Sequence, residues 1–208
     1  MARAMTFRFL DAPHVYVSSV TGKTFPSITQ MLKDGGHIDD SWYNEEACER
    51  GTAVHALTAQ HDLGVLTRGQ IEAGLDPFSG AYRGYVLSYL TVMDLFQPEI
   101  LTIEEPYVSP TYQFGGRIDR GIRLRRRLGI LPAGTLAVLE IKTGAFAKSH
   151  PMQTALQAVL EADRRQVSVE TIARFCCYVQ ETGRGRLEWH RDDPQNMREA
   201  MTLIRRFC

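Results

Sequence analysis

No apolar run in the 208-residue chain approaches the roughly 20 residues of a membrane-spanning helix. The opening Met-Ala-Arg-Ala-Met has no apolar signal core, which points to a protein kept in the cytoplasm. Excess charge is also missing, because 24 basic residues balance 24 acidic ones. That excludes a protein that coats nucleic acid through a global positive field, and it leaves room for a local basic groove. Cysteine is sparse. Cys48, Cys176, Cys177 and Cys208 form no CxxC pair, and none has a histidine at zinc-finger spacing, so reduced, packed thiols are expected. Internal repeats and low-complexity segments are absent. What remains, 44% apolar and 23% charged residues, is the composition of an ordinary globular protein of one domain.

The chemistry is densest in Leu136-Ala137-Val138-Leu139-Glu140-Ile141-Lys142-Thr143-Gly144. The apolar, partly β-branched front half predicts a buried strand. Side chains alternate faces along a strand, so Glu140 and Lys142 share one face and Leu139 and Ile141 the other. Charges on an apolar strand are costly unless something uses them. Taken alone, the pair fits a half-exposed strand equally well.

The remaining pattern predicts strands over Thr6–Leu10 and His14–Val20, bent at Asp11-Ala12-Pro13. Ser27 caps a short helix, Ile28 to Lys33, that stops at Gly35-Gly36. A longer helix opens at Asp39 or Asp40 and runs to about Leu63. Gly51 lies inside it at a cost of about 1 kcal/mol against Ala. Either another backbone or a ligand passes close to it, or helices cross tightly there with His55 as a core histidine. Val65–Pro77 reads as loop with one helical turn, and Ser79–Phe96 as a helix with an aromatic packing stripe. From Glu99 the period becomes two, giving strands Ile100–Val108 and Tyr112–Leu124. Gly115-Gly116 in the second suggests a bulge or close approach beside Asp119. With the Glu140 strand these make an antiparallel meander. A helix then follows over Met152–Asp163, with Gln153 and Gln157 on one face. A hairpin spans Thr171 to His190, and a last helix from Asp193-Pro194 to Phe207 is expected to pack on the sheet.

Five segments in order resemble the PD-(D/E)XK nuclease superfamily, in its RecB-like and phage-type exonuclease branch. Phe25-Pro26-Ser27-Ile28-Thr29-Gln30-Met31-Leu32 is similar to the segment before the histidine helix. Arg50-Gly51-Thr52-Ala53-Val54-His55 resembles G-x-x-x-H, and Gly116-Arg117-Ile118-Asp119 resembles G-x-x-D. Glu140-Ile141-Lys142-Thr143-Gly144 resembles E-x-K-T-G, and Gln153-Thr154-Ala155-Leu156-Gln157 resembles Q-x-x-x-Y with Gln157 in place of the tyrosine.

The resemblance implies an α/β, restriction-endonuclease-like fold: a central mixed β-sheet with an antiparallel meander, flanked by the histidine and glutamine helices. One domain would span 1–208. Within it lie an N-terminal hairpin and short helix (1–36), a helical part (37–96), the catalytic sheet with the glutamine helix (97–190) and a C-terminal helix (191–208). It further implies Mg²⁺ or Mn²⁺ held by Asp119, Glu140 and the Ile141 backbone carbonyl, with His55 as a further ligand or a gate on the second metal position. Glu104, or else Glu105, is the strand carboxylate that joins them, or an exposed edge-strand residue. Lys142 would position the attacking water, and Gln153 would hold Lys142, a water or the phosphate.

Arg117, Arg120, Arg125, Arg126 and Lys148 are expected to meet DNA. The basic loop Arg123 to Gly134 is either a DNA-tracking finger or a solvated hairpin tip. No iron–sulfur cluster is expected, since adjacent Cys176 and Cys177 point to opposite faces. The implied protein is a bacterial or phage-encoded DNA exonuclease in recombination or repair, working with a DNA-delivering or strand-annealing partner. An endonuclease that trims structured DNA and a non-cleaving DNA-binding subunit are the alternatives.

Overall fold

The computed structural model describes residues 6–10, 14–38, 44–74, 79–190 and 194–208. The bend at 11–13, a helix start at Asp39 or Asp40 and the Asp193 cap lie outside the described residues. A small antiparallel sheet comes first, from β1 (Phe7–Leu10), β2 (Val15–Ser18) and β3 (Thr24–Pro26). Ser27 caps α1 (Ile28–Asp34), accepting a hydrogen bond from the Gln30 amide. Asn44 caps α2 (Glu45–Asp62). The helical turn expected in the loop after it is α3 (Arg68–Ala73), opened by a Thr67–Gln70 capping box and followed by α4 (Ser79–Phe96).

The main sheet has the order β4 (Glu99–Val108), β5 (Gly115–Arg123), β6 (Leu136–Lys142), β7 (Ile172–Val179), β8 (Gly185–Trp189). The first three strands form the antiparallel meander, and β8 is antiparallel to β7. Between β6 and β7, which are parallel, runs α5 (Ser149–Arg165). The architecture is therefore α/β, with a five-stranded mixed sheet flanked by helices.

Two cores cover the two faces. On one, Ala137, Leu139, Ile141, Phe175 and Cys177 pack with Val86, Tyr89 and Leu90 of α4. On the other, Val138 and Ile118 pack with α1, α5 and α6 (Pro194–Phe207). The last helix thus lies on α5 and α1 rather than on the sheet, because α5 already covers that face. Gly115 and Gly116 allow close approaches. A Cβ on Gly116 would sit 2.5 Å from Ile28 Cδ1 and 2.9 Å from Leu160 Cδ1. No described helix is long and apolar enough to cross a membrane.

Candidate metal centre

The site grows from a break in strand regularity. Along β5, Gly116 and Ile118 face α5 and α1, yet Ile122 and Leu124 join the opposite core. On β4, Thr102 and Glu105 both face the α5 side although they are three residues apart. The alternation inverts in both strands at Glu104 and Asp119. Glu104 takes φ +48°, a left-handed conformation that costs a non-glycine residue about 1 kcal/mol or more. Strain of this kind persists where surrounding contacts over-determine it. Here the contacts are three cations. Glu104 accepts from His55 Nδ1 at 3.1 Å and lies 3.2 Å from Arg117 Nε and 3.4 Å from Arg120 Nη1.

Asp119 sits one position beyond the last regular β5–β6 pair, Arg120 with Leu139. Its Oδ2 accepts the Ile141 backbone N–H at 2.7 Å, and Oδ1 lies 3.4 Å from His55 Nδ1. Glu140 and Lys142 share a face on β6, where Lys142 Nζ donates to Glu140 Oε1 and to Gln153 Oε1, both at 2.8 Å. From α5, Gln153 Nε2 reaches the same Glu140 oxygen at 2.5 Å, and Gln157 Nε2 donates to the other at 2.6 Å. Gln157, where a tyrosine was looked for, therefore fixes the carboxylate. Its spacing of four from Gln153 on one helix face was the available signal.

Burial sets the electrostatics. Asp119 is pushed up to about 6, first by desolvation and then by the charge of Glu140, with His55 opposing. Desolvation would also raise Glu140, but Lys142, His55 and the Gln157 amide override it and hold the carboxyl below its usual range. Burial alone would lower His55. Asp119 and Glu104 outweigh it and keep the imidazolium well above the ordinary histidine value.

His55, Glu104 and Asp119 offer one ligand atom each within 4.8 Å of one another. Two carboxylates and an imidazole suit a hard or borderline divalent cation. Asp119 is raised first by desolvation and then by the Glu140 charge, which a bound divalent cation would offset, so the donor set suits such a cation without selecting one metal. Glu140 belongs to the same cleft but has both oxygens engaged by Lys142, Gln153 and Gln157. The Ile141 carbonyl is likewise engaged, by His55 Nε2 at 3.1 Å. Glu105 instead pairs with Arg164, away from the site.

The basic residues divide. Arg117 is 64% exposed and lines the cleft. Lys148 is exposed at the start of α5. Arg120 is fully buried and does not reach a DNA surface, because both faces of the sheet are covered and it points toward α2 and α4. There it donates to Asp62 Oδ2 at 2.6 Å, Thr58 Oγ1 at 3.1 Å and the Asp119 carbonyl at 2.6 Å. Asp62, Thr58 and Tyr89, which supports Asp62 through its hydroxyl, had no sequence signal. Arg125 and Arg126 lie beyond the end of β5, six and seven residues from Asp119 and so roughly 20 Å along the chain. Arg126 there donates to the Leu95 carbonyl.

Among the described residues, a Cβ added to Gly51 would meet only Thr143 Oγ1, at 3.9 Å, and no helix crosses it. Cys176 lies on the α5 side beside Glu140, and Cys177 in the opposite core. Compared with known proteins, the sequence matches no protein-family model and no curated protein.

Proposed function

We propose that the chain is a metal-dependent nuclease that hydrolyses DNA phosphodiesters, leaving 5′-phosphates, and that it acts as an exonuclease. The observation that carries this reading is Lys142, held between Glu140 and Gln153, two residues that line one cleft with His55, Glu104 and Asp119. A bound Mg²⁺ or Mn²⁺ supplies charge neutralisation and a water of lowered pKa.

The protein's own groups do the rest. His55, Glu104 and Asp119 hold the ion, and Glu140 fixes the lysine. The Lys142 ammonium orients the incoming water and stabilises charge developing on the phosphate oxygens. Arg117 can leave Glu104 to neutralise a phosphate at the cleft mouth. Exonuclease action rests on the likeness of the sequence motifs to the phage-type branch.

The test is a set of linear duplex, linear single-stranded and covalently closed circular DNAs, end-labelled where ends exist, with Mg²⁺, Mn²⁺ or EDTA. Metal-dependent loss of linear DNA that spares the circle, and disappears in Glu140→Gln, supports the exonuclease and reports its polarity. Cleavage of the circle replaces it with an endonuclease. Folded protein that binds DNA without cutting it leaves a binding subunit.

A further inference from the structure

The cleft has a second wall that the hydrolytic groups do not use. Phe9 of β1, Tyr16 of β2 and the intervening His14 line the same cavity, of about 460 Å³, as His55, Glu104 and Asp119. Their rings form one cluster. Phe9 lies 5.2 Å from His14 at 70° and 5.0 Å from Tyr16 at 52°. Phe9 is 39% exposed, a large apolar face left to solvent at the cavity. His14 adopts φ +66°, and its Nδ1 is shut off from solvent without a hydrogen-bond partner among the described residues.

We propose that Phe9, His14 and Tyr16 form a subsite for one unstacked nucleobase of a single-stranded or frayed DNA end. The proposal rests on the nuclease reading and deepens it by naming the substrate class. A ligand that matches this wall is flat and stacks on rings. It must also connect to a phosphate, because the candidate metal ligands and Arg117 share the cavity. A nucleotide meets all three conditions. In a duplex the base faces are covered by their neighbours and the edges are paired, so the ring wall selects a base already out of the stack. A cavity of this volume is the size of a small-molecule pocket, enough for a single nucleotide. Tyr16 packs against Gly115, four residues before Asp119 and so roughly 13 Å away along the strand, which places the base within a short stretch of chain from the metal ligands.

The test measures binding in EDTA, where cleavage is blocked, by fluorescence anisotropy. The probes are a short single strand, the same strand with one abasic site walked along it, and a blunt hairpin duplex. The expected result is preference for the single strand and one position at which the abasic site weakens binding about tenfold. Phe9→Ala should weaken the intact strand by a similar factor and erase the abasic penalty. His14→Asn, which tolerates the same backbone, should weaken it less. Phe9→Leu serves as a volume-matched second variant if Phe9→Ala fails to fold, and should behave like it. Equal binding of strand and duplex, or no effect of any of these changes, overturns the subsite. Metal-dependent cleavage alongside that outcome leaves the nuclease reading standing alone. Base-dependent binding without cleavage leaves only the subsite. No binding to any probe sinks both.

Discussion

Replacing Arg120 by Met separates a buried structural arginine from a DNA contact. In the folded protein its guanidinium has no exposed surface and holds Asp62, Thr58 and the Asp119 carbonyl, with the Tyr89 ring 5.7 Å away. Methionine keeps the apolar stem and removes every donor. Asp62, only 5% exposed, is then left with the Tyr89 hydroxyl among the partners described. Breaking one side of a buried ion pair costs about 3–5 kcal/mol, a large part of the 5–15 kcal/mol typical of a whole domain. Urea unfolding of Arg120→Met should give a lower midpoint at unchanged slope. The double variant Arg120→Met/Asp62→Asn, which removes both charges, should recover about 1–2 kcal/mol relative to the sum of the single changes. A loss below about 0.5 kcal/mol, as for an exposed residue, would refute the network.

Three further outcomes follow from the geometry. Gly84→Ala should cost at least about 3 kcal/mol in the same unfolding assay, because its Cβ would fall 1.6 Å from the Glu181 carbonyl oxygen. Gly51→Ala should stabilise by up to about 1 kcal/mol, since the helix gains alanine and nothing clashes. A drop in stability there would mean that α2 is held differently. His190 is buried, bonded to Thr154 Oγ1 at 2.9 Å, and lowered to about 4 by desolvation and then by Arg174. The unfolded chain therefore binds the extra proton first, and this group's contribution is lost as pH falls from about 6.5 to about 4. Unfolding free energy measured across that window should decline by up to about 3 kcal/mol from this group. The decline should shrink in His190→Gln, and an identical slope in the variant would contradict the assignment.

Much of the sheet was legible because period-two alternation and turn residues are local signals. The pairing of Glu140 with Lys142 followed directly from parity on β6. The short helix capped by Ser27 and the glutamine face of α5 were readable for the same reason. Arg120 was expected at DNA for its charge, which does not report facing, and it is buried against α2 and α4 beside the break in alternation at Asp119 and the left-handed Glu104. No local pattern in β5 reports the conformation of Glu104. The position of Arg125 and Arg126 depends on which end of the β5–β6 hairpin holds the carboxylates, a question of register that a loop of 12 residues, 124–135, does not fix. Of the carboxylates, Glu104 rather than Glu105 joins the site because of that same backbone turn. The aromatic wall was invisible for a different reason. His14 and Phe9 matter only once a separate small sheet is packed beside β5.

Single-turnover hydrolysis of a labelled single strand, with Mn²⁺ titrated against wild type and Lys142→Met, tests the central claim most directly. Both proteins should first be matched for folding by circular dichroism. Metal-dependent cleavage by the wild type, abolished by EDTA and slowed about 10²-fold or more in the variant, is the predicted result. Cleavage at equal rates in both proteins, or unaffected by EDTA, would contradict it.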